Sequence, residues 1–203
     1  MPSADPAGSG PATPSSPLGT GELPVFRPTG EELLHRGWAI SLVKAGFVDP
    51  EGRPFERDIV RHPGAVAVVA VTEADSVVLV HQYRPAVDRW LLELPAGTCD
   101  VSGELPEATA RRELAEEVGY AADELTLMAR CLVTPGFCDE VSSVYLATGL
   151  RPVPLEPHGI EEGYLRVVEV PLDRFDALVD DGTIVDAFAI LGVGLARRRL
   201  ATG

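Results

Sequence analysis

Three glutamates, Glu113, Glu116 and Glu117, stand at spacing i, i+3 and i+4, directly after Arg112. On an α-helix these positions share one face, so their side-chain ends lie close together. Crowded carboxylates suit one chemistry above others. Mg²⁺ prefers hard oxygen ligands and binds through a few carboxylates, waters and substrate phosphates. The plainer alternative is a solvated charged face, and it explains the spacing poorly. Glu113 and Glu117 are a like-charge i, i+4 pair, which costs about 0.2–0.5 kcal/mol. No Lys lies four residues beyond either one, and Arg112 is one residue out of phase with Glu113. A divalent cation would remove the repulsion.

The element that must hold these residues is a helix over 104–118. Pro106 suits its first turn and Gly119 the position just past its end. Ala110, Leu114 and Val118 recur every four residues and form a stripe to be buried. Strands surround it. Segments 64–71 and 77–83 are dense in Val and Ala and read as buried strands. Further strands are expected at 90–94, 125–133, 141–147 and 164–170. A Pro- and Gly-rich acidic loop spans 151–163. Pro171, as the first residue of a helix, starts a short helix to about Val179. A C-terminal helix runs over 186–200, capped by Asp186 and ending in Arg197 to Arg199, which suit a helix C-terminus. Mixed strands with a few helices make an α/β sandwich.

Before this core, residues 1–20 are almost all Pro, Gly, Ser, Ala and Thr and read as a disordered tail. Residues 35–60 alternate like strands around an Asp49-Pro50-Glu51-Gly52 turn. A small strand subdomain over 21–62 is expected to pack on something else, since two or three strands alone are marginal. The main domain is then 63–203.

The formal net charge of −14 argues against nucleic acid as the main partner. That acidity serves either solubility or the concentration of carboxylates for cations. No apolar run reaches the ~18 residues that span a membrane. The N-terminus has neither Lys or Arg nor an apolar stretch, so no secretory signal is expected. Cys99, Cys131 and Cys138 form no C-x-x-C pair and fit reduced thiols in a cytoplasmic protein. The four histidines have no metal-ligand spacing, so no zinc site is expected.

Glu104, seven intervening residues, Arg112-Glu113-Leu114, Glu116-Glu117 and Gly119 together resemble the Nudix box, G-x5-E-x7-R-E-U-x-E-E-x-G-U with U aliphatic. Six residues rather than five separate Gly97 from Glu104, and Tyr120 replaces the last aliphatic. The extra residue falls in the loop before the helix. The likeness extends over about residues 31–200. The segments 57–66, Gln82-Tyr83-Arg84, Glu93-Leu94-Pro95-Ala96-Gly97 and Thr134-Pro135-Gly136-Phe137 resemble ADP-ribose pyrophosphatases in particular. Pro135 stands fifteen residues beyond Tyr120, as a proline does in that subfamily.

This resemblance implies a Nudix-type α/β/α sandwich with a mixed sheet plus the small N-terminal antiparallel subdomain, which would dock across a homodimer. It implies Mg²⁺ or Mn²⁺ as cofactor and hydrolysis of ADP-ribose to AMP and ribose 5-phosphate. Two alternatives stay open: a diphosphatase for nucleotide sugars or other nucleoside diphosphate derivatives, and a non-catalytic nucleotide-sensing module. By resemblance the metal ligands are Glu113, Glu117, the Ala96 carbonyl and Glu116, with Glu104 in support. The catalytic set adds Arg112, which orients the acids, to Glu116 and a base from the acidic loop. Glu161 is the better match for that base and Glu162 the second. Arg57 and Arg84 match substrate-binding arginines, and Glu140 would contact ribose or the metal site. Trp38 either stacks on adenine, across a dimer interface, or packs in the core. Trp90, Phe26 and Phe47 read as packing residues.

Overall fold

The computed structural model describes residues 23–155 and 162–202. The tail assigned to 1–20 lies outside them, as do Glu161 and the rest of the acidic loop at 156–160.

The chain begins with a three-stranded antiparallel sheet of β1 (Arg27–Arg36), β2 (Ser41–Val48) and β3 (Pro54–Arg61), in that order. The β2–β3 hairpin turns where expected. Asp49 Oδ1 accepts from the amides of Glu51 and Arg53, and Gly52 takes φ 85°. The first strand begins earlier than the pattern suggested. It contains Pro28 and Gly30, two irregularities interrupt its register with β2, and all ten of its residues are exposed. No alternation could mark it, because it has no buried face.

The main sheet has seven strands. They are β4 (Ala65–Val71), β5 (Ser76–Arg84), β6 (Arg89–Glu93), β7 (Ala96–Thr98), β8 (Tyr120–Leu132), β9 (Val141–Pro152) and β10 (Arg166–Pro171). Strands β10-β5-β4-β9-β8 run in order, with β6 on β5 and β7 on β4. Among the described residues only the β4–β9 pair of this sheet is parallel, so the sheet is mixed. Among the described residues three α-helices complete the fold: α1 (Pro106–Val118), α2 (Leu172–Asp180) and α3 (Ala187–Leu200).

Strand alternation divides the core into two layers. Val66, Val68 and Ala70 of β4 join Ala110, Leu114 and Val118 of α1. Ala67, Val69 and Val71 face the other way, onto Phe175, Ala189, Val193 and Ala196 of α2 and α3. Both sheet faces are covered, which is the α/β/α sandwich. Gly192 of α3 lets the helix press on the sheet, since a Cβ there would meet Leu94 and Val69 side chains.

Several boundaries move. Pro171 closes β10 and caps α2 rather than opening it. Strands β8 and β9 are longer than the apolar runs that marked them, because they pair with each other along their exposed ends. Tyr164, expected to begin a strand, instead ends a 3-10 turn over 162–164, and β10 starts at Arg166. Asp186 does cap α3, accepting from Ala189 N at 2.7 Å. Arg197 sits in the last turn, but its side chain reaches back to α2, pairing with Asp176 at 2.6 Å and with the Leu172 carbonyl. Among the described residues no helix is long and apolar enough to cross a membrane.

Candidate active site

Helix α1 starts on Pro106 and stops on Gly119, whose left-handed φ of 69° lets its amide donate to Ala115 and Leu114 carbonyls. Leu114 and Val118 anchor the helix to β4 and β5. That anchoring carries Glu113 and Glu117 to the edge of the stripe, where both are buried. Glu116 is half-buried on the outer side.

The two buried carboxylates meet β7. The Ala96 amide donates to Glu117 Oε2 at 2.9 Å. Val68 N donates to Pro95 O and Cys99 N to Gly64 O, so alternate residues of this segment bond to β4. Ala96 falls between them and turns its backbone N–H, and with it its C=O, away from the ladder. Gly97 follows, and a Cβ there would overlap the Glu113 carboxylate. Hard oxygens from Glu113, Glu117 and the Ala96 backbone therefore gather in one corner, a donor set that fits Mg²⁺ rather than a softer metal.

Arg112 does more than its position suggested. Its Nη1 lies 2.9 Å from both Glu113 Oε1 and Glu116 Oε2, and its Nη2 lies 3.3 Å from Glu104 Oε2. The repulsion expected within the cluster is thus partly relieved by the protein itself. Glu104 also accepts from Thr109 Oγ1 at 2.8 Å. These bonds, Arg112 first and Thr109 second, hold its carboxyl below the usual range. Burial works against the Arg112 charge, but Glu104, Glu113 and Glu116 outweigh it and push its pKa upward. With the extra residue in the loop before it, Glu104 lies within 3.3 Å of Arg112. Among the described residues no three His, Cys, Asp or Glu side chains stand together as a ready metal cage; Arg112 stands between the carboxylates.

The remaining sequence-chosen residues fall in separate places. Arg84, at the end of β5, pairs with buried Glu93 at 2.6 Å. Trp38 is 93% exposed, so it has no core role in this chain. It lines a cavity of about 930 Å³ with His62, Cys99, Glu104, Arg130 and Asp139. Arg57 lies over the Phe55 ring, 4.9 Å from its centroid. It lines a second cavity of about 440 Å³ with Phe26, Phe47, Pro135 and Phe137. The two cavities share Leu132 and Asp139. Glu140 accepts from Ser142 Oγ at 2.7 Å and lies 4.0 Å from His62. Glu162 lies on the 3-10 turn 162–164. Trp90 and Phe26, read as packing residues, are largely exposed; Trp90 rests on His81 and Tyr83, and Phe26 on Phe55.

Two residues escaped the sequence reading. Glu93 is a buried acid directly after the apolar run Trp90-Leu91-Leu92, and that contrast was the available signal. Asp139 had no such signal. It accepts from the His62 amide at 2.8 Å and from Arg61 at 3.0 Å, while Arg61 also pairs with Glu31 at 2.6 Å. This arrangement stitches the Pro135 loop to the N-terminal sheet.

The NUDIX domain pattern matches residues 61–187. The chain belongs to the Nudix family. It is 40% identical over 178 residues to the ADP-ribose pyrophosphatase of Mycobacterium tuberculosis, covering 88% of this chain and 86% of that protein. It is 39% identical over 157 residues to the ADP-ribose pyrophosphatase of Bacillus subtilis, covering 77% and 84%. A crystal structure of an ADP compounds hydrolase matches with a TM-score of 0.76 at 24% identity, over 91% of this chain and 97% of that one. At that identity the likeness is one of fold.

Proposed function

We propose that this chain hydrolyses the diphosphate linkage of ADP-ribose, giving AMP and ribose 5-phosphate, with Mg²⁺ or Mn²⁺ as cofactor. The observation that carries the reading is the meeting of buried Glu113 and Glu117 with the turned-out Ala96 backbone and the space left by Gly97. A buried like-charged pair is costly unless cations balance it, and Arg112 supplies part of that balance at Glu113, at 2.9 Å. The names of the relatives supply the substrate class.

Glu113, Glu117 and the Ala96 carbonyl would hold the metal, with Glu116 sharing the cluster. A metal bound there would neutralise the diphosphate and lower the pKa of water. Glu161, or failing it Glu162, accepts the proton of the attacking water. Arg112 orients the acids and Glu104 orients Arg112. Arg84 and Arg57 bind substrate phosphates, Glu140 the ribose, and Trp38 the adenine face. The N-terminal sheet and the residues flanking its strands expose Phe26, Leu33, Leu34 and Ile40. An apolar surface of that kind suits a second copy, so the active unit is a cytoplasmic homodimer.

Chromatography for AMP after incubation with ADP-ribose tests the reading. AMP should form with Mg²⁺ and cease with EDTA. Nucleotide sugars at equal concentration should give a lower kcat/KM, and the reverse order would overturn the substrate assignment.

A further inference from the structure

Arg84 and Glu93 face each other across the β5–β6 hairpin, near the end of the sheet where α1 brings Glu117. Arg84 Nε lies 3.1 and 2.8 Å from the two Glu93 oxygens, and Nη2 lies 2.6 Å from Oε2. Glu93 is buried at 6% exposure, whereas the Arg84 side chain is 43% exposed. The Nε–Nη2 edge of the guanidinium is therefore clamped on a fixed carboxylate, and Nη1 is left outside that clamp. The carboxylates of Glu117 and Asp186 also act on Arg84 through space. Asp186 is itself held in place by its bond to Ala189 N.

A salt bridge made only for stability gains little from pairing a buried acid with a half-exposed arginine, because the desolvation cost offsets the attraction. The same pair is well made for holding a planar fork at one angle before a phosphate arrives.

We propose that Glu93 is a positioning residue that sets the Arg84 guanidinium toward the substrate diphosphate. This rests on the reading of the chain as an ADP-ribose diphosphatase. Glu93 acts through Arg84 and touches no reacting atom, so its effect must vanish when Arg84 is absent.

The test is a double-mutant cycle in steady-state kinetics with ADP-ribose and Mg²⁺. Glu93→Gln keeps the side-chain volume and removes the charge and the two-oxygen clamp. It should raise KM about tenfold, the scale of one charged hydrogen bond, with kcat changed less than about threefold. Arg84→Ala should raise KM at least as much, and the double variant should be no worse than Arg84→Ala alone. An unchanged KM in a folded Glu93→Gln, or KM losses that multiply in the double variant, would overturn the proposal. Should Glu93→Gln fail to fold, Glu93→Asp serves instead: its shorter arm should give a smaller KM rise that again disappears without Arg84. Absence of AMP release by the unaltered protein would instead sink the functional reading. The same cycle is then read from the calorimetric Kd of ADP-ribose, where independent losses would overturn the positioning role.

Discussion

Glu113 occupies the space that a side chain on Gly97 would need: a Cβ built on Gly97 falls on the Glu113 carboxylate. The two residues come from different elements, and only the docking of α1 onto β7 brings them together. The glycine is thus required by a close approach to a functional group rather than by a turn, and it lets the carboxylate lie against the backbone that would share its metal.

Gly97→Ala should therefore separate activity from stability. The group that must move is the far end of a flexible side chain, so the fold has an inexpensive escape. Displacing the carboxylate by about 1 Å should cost on the order of 100-fold in kcat. The melting temperature should shift by only a few degrees. Activity near that of the unaltered protein would show that the Glu113 carboxylate need not sit there.

Glu117→Gln keeps an acceptor for the Ala96 amide and loses the charge. It should leave circular dichroism and melting temperature close to those of the parent. Mg²⁺-dependent AMP release should fall by about 1000-fold or more, on the scale of several kcal/mol of charge stabilisation. Full turnover would remove Glu117 from the metal site.

The Glu104–Arg112 contact should appear in the pH dependence of stability. The folded carboxyl of Glu104 lies below its ordinary value, so the unfolded chain binds this proton first as pH falls. The stabilisation is complete above the ordinary carboxyl range near ~4.3 and is lost as pH drops through the lower folded value. Melting curves of the parent and Glu104→Gln should differ at pH 7 and converge in acid. A gap that widens toward low pH would have the wrong sign.

Trp38→Ala should leave thermal stability within about 0.5 kcal/mol, since an exposed side chain makes little packing. If the ring stacks on the adenine, KM for ADP-ribose should rise about tenfold, on the scale of base–aromatic stacking. A fall in melting temperature with unchanged KM would assign Trp38 to structure, through a partner subunit.

The helix that carries the candidate site was legible because its signals are local. Pro106, the four-residue apolar stripe and Gly119 write a helix with fixed ends. Once that helix exists, the phase of Glu113, Glu116 and Glu117 follows from its geometry. The strands of the core were legible for the same reason, as runs of Val and Ala between turn residues.

Contacts between distant segments were not legible. The fan of Arg112 to Glu104, Glu113 and Glu116 depends on how the preceding loop returns. The clamp of Glu93 on Arg84 depends on a cross-strand neighbour. Strand β1, with Pro28, Gly30 and no buried face, exists because β2 offers it hydrogen bonds. Sequence by itself set the periodicities, since each residue's preference is felt within a turn or a strand. Only the tertiary structure decided which carboxylate faces which cation, because that depends on register and packing between elements far apart in the chain.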